Sequence, residues 1–301
     1  MSLLVTGSIG IDTVRTPFGV SENCVGGSAV YFSFSAAFFG PVRFLGVVGE
    51  DCPFDLAEVF GSREVDLHGL EVRKGSKTFR WNGSYEGNMN EANTDGVELN
   101  VLAETPPAIP DAYKDSEYVF LANTAPALQI ELLDQIHNPQ FVAADTMDLW
   151  IKTENSDLKI LLDRVDMLVI NEGEAKLLTG IDNTIAAGQE ILKMGPRVAI
   201  IKRGEYGSLM CNLEGDMFML PAYPTTVVID PTGAGDSFAG ALMGHLASIG
   251  RVDIISLRNA MVYGTVASSF TIGDFSIHGI KTVMKKHLDD RFDTLRKITQ
   301  F

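Results

Sequence analysis

Six short runs of almost wholly apolar residues recur along the chain, at residues 3–7, 42–49, 118–122, 141–146, 167–174 and 198–204. Each gives way at its end to a small or polar residue. Runs of this length with no polar alternation read as strands buried on both faces. Between them lie amphipathic stretches such as 126–136 and 183–194, which read as helices. Buried strands alternating with helices require a parallel sheet covered on both sides, because each helix must carry the chain back across the sheet. The expected fold is therefore α/β, a three-layer Rossmann-like domain spanning residues 1–301. In such sheets ligands bind beyond the carboxyl ends of the strands, so the polar residues that close each run are the first place to look for chemistry.

One region breaks the rhythm. Residues 70–103 carry turn-forming Gly and Asn and a period-two alternation at Val97, Leu99 and Val101. That pattern predicts antiparallel hairpins. With residues 13–25 it is expected to form a small β lid over the substrate site. Phe79, Arg80 and Trp81 alternate faces there, so Trp81 is a candidate to stack on a substrate and Arg80 to meet an anionic group. Packing within a small sheet is the competing explanation.

Charge narrows the partners. The formal net charge of −15 argues against nucleic acid or an anionic membrane surface as the main partner. A small anionic ligand remains compatible, given local donors or a metal. The most apolar stretch, 31–48, is interrupted by Pro41 and Arg43, too soon for a membrane span. Cys24, Cys52 and Cys211 are few, odd in number and far apart, which suits a reducing compartment rather than a disulfide framework or a zinc site. Residues 1–12 read as a strand entering a turn, without the basic start of a signal peptide. The expected location is the cytoplasm.

The chemistry is concentrated in Asp230-Pro-Thr-Gly-Ala-Gly-Asp236, with residues 227–229 expected as a strand before it and a helix expected from about 235 to 248. Glycines let successive N–H groups turn inward as an anion nest, and a helix N-terminus adds partial positive charge. The backbone of Gly233, Ala234 and Gly235 is thus a candidate anion hole for a phosphoryl group. Asp236 has two explanations. It caps the helix and complements its dipole, or it is a general base taking a proton from a substrate hydroxyl. The loop is not a Walker P-loop, since no Gly-Lys-Ser/Thr follows. It is a poor dinucleotide fingerprint as well, since Phe238 stands where a third glycine belongs.

The run from Asp230 to Met243 resembles the C-terminal signature of the PfkB-type carbohydrate kinases, the ribokinase-like family. Other landmarks of that family follow in order along nearly the whole chain. Gly-Ser-Ile-Gly-Ile-Asp12 resembles the turn whose aspartate grips sugar hydroxyls, and Gly26-Gly27 resembles the double glycine that opens a helix under the substrate. The family's asparagine later in that motif is replaced here by Tyr31. Gly46, Gly49 and Asp51 resemble a structural strand end. Asn171 and Glu174 resemble an Asn-x-x-Glu element that acts on Mg2+ through water, although acids in a first helical turn are common for electrostatic reasons alone. Residues 201–209 resemble the nucleotide-contacting turn, which implies Lys202, Gly204, Gly207 and, from the glycine loop, Thr232 on the nucleotide side. The helix around 259–269 corresponds to the wall of the adenine site. Asp230 matches a position that helps hold a monovalent cation such as K+ in several members. Asp145 sits where some sugar-acid kinases carry Asp-x-Asn-x-Arg, but Met147 and Leu149 replace the polar partners. Asn123 closes a strand and is a candidate for a substrate hydroxyl or a plain turn.

The resemblance implies an ATP-dependent, Mg2+-requiring phosphotransferase acting on a hydroxyl of a sugar or related polyol. It further implies Asp236 as base, a lid that closes over the site and a homodimer formed through that lid. Three alternatives stay open: a nucleoside kinase of the same family, a non-catalytic ATP- or sugar-binding protein on this fold, and an NAD-dependent dehydrogenase. The last lacks a proper glycine fingerprint near the N-terminus.

Overall fold

The computed structural model describes residues 1–300. Thirteen strands are defined among them: β1 (Leu3–Thr6), β2 (Gly10–Thr16), β3 (Gly19–Gly26), β4 (Val42–Gly49), β5 (Val65–Arg73), β6 (Phe79–Tyr85), β7 (Ala92–Glu98), β8 (Tyr118–Leu121), β9 (Phe141–Ala144), β10 (Met167–Asn171), β11 (Val198–Lys202), β12 (Ser208–Asn212) and β13 (Met217–Leu220). The helices are α1 (Ser28–Ala36), α2 (Leu56–Phe60), α3 (Pro126–Leu133), α4 (Asp148–Thr153), α5 (Asn155–Leu162), α6 (Glu172–Thr179), α7 (Thr184–Leu192), α8 (Ala234–Ile249), α9 (Ile254–Thr271), α10 (His278–Lys281) and α11 (Lys285–Ile298).

The main sheet runs β13-β12-β11-β10-β9-β8-β1-β4-β5. From β11 to β5 every pairing is parallel, and β12 and β13 add an antiparallel edge. All six apolar runs are strands of this sheet, as expected. Successive residues of each strand serve opposite faces. Leu3 and Val5 join one core with α1, α8 and α9, whereas Leu4 joins the other with α3, α5 and α7. Met167 and Val169 divide from Leu168 and Ile170 in the same way. That two-sided burial is why these strands carry no polar alternation.

The small sheet expected as a lid is separate from the main one and has the order β3-β2-β6-β7. It confirms a small β layer but corrects its outline. Its first strand begins at Gly10 and so includes Asp12. Residues 70–73 belong to β5 on the edge of the main sheet, and residues 100–103 form a turn of 3-10 helix. Only the outer pairings are antiparallel. β2 and β6 pair in parallel, with Asp12 opposite Trp81, because the chain passes through α1, β4 and β5 between them.

A second correction concerns 227–229, which is not a strand. Ile229 donates its N–H to the Ile272 carbonyl at the end of α9 (2.7 Å), and Val228 packs on the lid. Pro221, Pro224 and Pro231 frame this stretch, and residues without a backbone donor do not build a ladder. The apolar run anchors the glycine loop instead of extending the sheet.

The helix after that loop begins one residue before the expected start and ends one after the expected stop. It lies close against α1: a Cβ on Gly240 would stand 2.1 Å from the Phe32 carbonyl oxygen, and one on Gly244 would stand 2.7 Å from that of Ala36. These small residues bring the N-termini of α1 and α8, and the motifs that open them, side by side.

Candidate active site

The carboxyl ends of β8, β9, β10 and β11 place Asn123, Asp145, Asn171 and Lys202 along one edge of the main sheet, and the N-terminus of α8 faces them. At Gly233 the backbone has φ +74°, a left-handed turn that favours glycine, and a Cβ there would lie 2.3 Å from the ring of Tyr31. Tyr31 therefore forms the floor of the loop where the resembling family has an asparagine. Asp236 follows in the first turn of α8. Its carboxyl is raised from the usual carboxylate range by burial, and Lys202 opposes that rise.

Asp145 is buried and its Oδ1 has no hydrogen-bond partner. Burial, then the Asp236 charge, holds its carboxyl well above the usual range, while Lys202 pulls the other way. Glu174 completes the group. Burial pushes it up to about 7, again against the pull of Lys202. Three acidic side chains thus sense one ammonium. Asn171 and Glu174 form a reciprocal cap on α6: Asn171 Oδ1 accepts from the Glu174 N–H (2.8 Å), and Glu174 Oε2 accepts from the Asn171 N–H (2.7 Å). The Asn-x-x-Glu spacing therefore has a helix-starting use in this structure as well. Among the described residues no trio of His, Cys, Asp or Glu is arranged to hold a metal ion.

Asp12 and the double glycine form the second half of the site. Asp12 is buried directly over Gly26, where a Cβ would come within 1.8 Å of its Oδ2. Its Oδ1 has no partner. Burial, then Asp230 and Asp236, push its carboxyl up to about 8, and the Gly27 N–H draws it down. Asp230 is fully buried. It accepts from the Thr232 N–H (2.9 Å) and the Ser276 N–H (3.1 Å), and both bonds brace the glycine loop.

The lid reaches across to both halves. Tyr85 of β6 packs with Val14, Met89, Trp81 and Val228, and its hydroxyl meets Thr232 Oγ1 (3.3 Å). At the lid tip, Asn90 Nδ2 donates to Glu205 Oε1 (2.9 Å), and Asn90 Oδ1 lies where a Cβ on Gly204 would come within 2.5 Å. Gly207 leaves room for the Leu220 carbonyl.

Some expected residues are engaged otherwise. Asn123 accepts from Trp150 Nε1 (2.8 Å) and donates to Met147 Sδ, so both ends of its side chain are occupied within the protein. Arg80 is paired with Asp51 (3.3 Å) on the outside of the lid. Trp81 lies over Gly83 and donates to Thr94 Oγ1 (3.3 Å). Sequence reasoning missed Tyr85 and Asn90, because their partners are remote along the chain, and it placed no weight on Asp145 outside one substrate motif. The position of Asp145 at a strand end was the signal available for it.

Comparison with known proteins bears on the fold and the family. The model of the pfkB family carbohydrate kinases matches residues 24–278. A cytidine kinase of Thermococcus kodakarensis is 30% identical over 252 residues, covering 81% of this chain and 87% of that protein. A nucleoside kinase of Burkholderia thailandensis solved with inosine superposes with TM-score 0.78 at 20% identity, over 97% of each chain. A ribokinase of Cryptococcus neoformans solved with ADP gives 0.77 at 21% identity, over 96% of this chain and 98% of that one. The two superpositions establish a ribokinase-like fold. With the family match across most of its length, the chain belongs to the pfkB family of carbohydrate kinases.

Proposed function

We propose that this kinase transfers the terminal phosphoryl group of ATP, supplied with Mg2+, to a hydroxyl on a sugar ring. Asp236 is the general base and the N–H groups of Gly233, Ala234 and Gly235 form the anion hole. The observation that carries the reading is the convergence of two features. The first is a carboxylate in the first turn of a helix behind a left-handed glycine. The second is a buried Asp12 with one oxygen still unpartnered. A buried acceptor without a partner is costly, and a ligand hydroxyl satisfies it.

In the step itself the acceptor O–H attacks the terminal phosphorus. Its proton passes to Asp236, the new O–P bond forms, and the bond to the bridging oxygen breaks with its electron pair leaving on ADP. Positioning and charge stabilisation are the protein's contribution. Asp12 and Gly27 orient the acceptor, with Trp81 on the lid above it. Lys202, Gly204, Gly207 and Thr232 lie on the nucleotide side. Leu220, next to Gly207, also lines a cleft with Phe218, Asn259 and Val262, which we assign to the base of the nucleotide. Mg2+ entering with the nucleotide would neutralise phosphate charge, and Asn171, Glu174 and Asp145 would hold it through its water shell. Asp230 is our proposed neighbour for a monovalent cation.

A second reading, a nucleoside as acceptor, is favoured by the likeness to a cytidine kinase over most of the chain. Release of ADP measured with ribose, fructose, inositol, cytidine and inosine separates the two. Turnover confined to free sugars removes the nucleoside reading, and turnover confined to nucleosides removes the sugar one. Nucleotide binding with no ADP from any acceptor leaves a non-catalytic binder. Asp236→Asn is expected to fold, to bind ATP and to lose about two to four orders of magnitude in kcat. Near-normal kcat in that variant reduces Asp236 to a helix cap.

A further inference from the structure

We propose that Lys202 is a further catalytic residue, the cation that meets the transferred phosphoryl group from the sheet side while the backbone of residues 233–235 meets it from the helix side. This rests on the kinase reading above and adds a specific contact to it.

The first support is position. Lys202 ends β11 beside Asn171 of β10, at the carboxyl edge of the sheet. A Cβ built on Gly235 would stand 2.7 Å from Lys202 Nζ, 3.6 Å from Cε and 3.8 Å from Cδ, the nearest atoms outside its own helical turn and chain neighbours. The tail of the lysine thus lies across the first turn of α8. Gly235 is inside the helix and does not have the positive φ that makes Gly233 obligatory. What its missing side chain provides is room for an ammonium.

The second support is that this ammonium has no fixed partner. Among the described residues no carboxylate lies within 4.0 Å of it. The other cations at this edge are committed. Arg203 is held by Glu172 (3.0 Å), and Lys152 is paired with Asp148 (2.8 Å). The acidic groups that sense its charge are Asp145 after β9, Glu174 in α6 and Asp236 in α8, which come from three separate parts of the chain.

The third support is electrostatic. A cation pressed against the positive end of a helix is repelled by it, and an anion held between them relieves that repulsion. A phosphoryl group seated on the N–H groups of the loop supplies that anion. It also lets a site with three carboxylates accept a polyanionic nucleotide. Lys202 gives and takes no proton in this step; it balances charge on the equatorial oxygens as the bond to ADP breaks.

The test needs no knowledge of the acceptor. Calorimetry measures the affinity of wild-type protein, Lys202→Met and Lys202→Arg for Mg-ADP and for Mg-AMP-PCP, the methylene analogue of ATP. Lys202→Met is expected to weaken AMP-PCP about tenfold or more, the scale of a charge-assisted contact, and to leave ADP within about threefold. Lys202→Arg should recover part of the difference. Gly235→Ala, which displaces the same ammonium, should give the same selective loss, and the double variant should be no worse than Lys202→Met alone. Equal loss for both nucleotides, no loss, or additive effects would overturn the assignment. If Lys202→Met does not fold by circular dichroism, the Lys202→Arg and Gly235→Ala comparisons decide the matter on the same criterion. Wild-type protein that binds neither nucleotide removes the kinase reading and this assignment together. Binding of both by wild type with unselective loss in the variants removes only the assignment.

Discussion

Asp12 and Asp236 answer to opposite needs. In the proposed step Asp236 is ionised to accept a proton, and burial works against that; Lys202 opposes the effect of burial. Asp12 stays protonated in the folded protein until about pH 8, whereas its ordinary value is 3.8. The folded state therefore binds a proton that the unfolded chain has released. The contribution of this carboxyl is most favourable below pH 3.8 and is lost as pH rises toward 8. Asp12→Asn should accordingly unfold at a higher temperature than the parent at pH 8, with the two converging near pH 4, while acceptor affinity drops. A lower Tm for the variant at pH 8 would show that the buried carboxylate is stabilised by something other than a ligand. Asp236 was legible in the sequence because its loop, its glycines and its helix are contiguous. The gathering of Asp145, Glu174 and Lys202 around it was not, because each stands at the end of a different strand or helix.

Elements explain why two glycines of one loop differ in kind. Gly233→Ala forces a Cβ into the left-handed region and against the Tyr31 ring, which α1 cannot move while α8 rests on it. We expect a loss on the order of 2–5 kcal/mol in urea unfolding. Gly235→Ala displaces only the lysine tail and should cost far less stability. Comparable losses would mean that Tyr31 yields. On the lid, Trp81→Ala should raise the KM of the acceptor several times more than that of ATP; equal shifts would mean that Trp81 serves packing alone. The six central strands were readable because burial on both faces keeps alternating polar residues out of them. The parallel β2–β6 pairing was not, since its register depends on a long excursion through the main domain. The fate of 227–229 was hidden for a related reason: an apolar run looks the same whether it pairs in a sheet or docks on a helix end.

At the scale of the whole molecule, the chain carries a net charge of −15, and the nucleotide of the proposed reaction is a polyanion. Electrostatic repulsion falls with ionic strength, so the ATP on-rate should rise as salt is raised from low values, the reverse of a basic nucleotide site. A stopped-flow rate that falls with salt would place the governing field in Lys202 and the α8 dipole. The lid tip adds a constraint of another kind. Asn90 is hydrogen-bonded to Glu205, 115 residues further along, so the small sheet that we propose covers the acceptor is tied to the turn that we propose contacts the nucleotide. On that proposal, opening for either ligand disturbs the pocket of both. Such a tether makes the kinetic order of addition a property of the fold: whichever ligand arrives first sets the hinge for the second, and cutting the tether with Asn90→Ala should let the two enter independently.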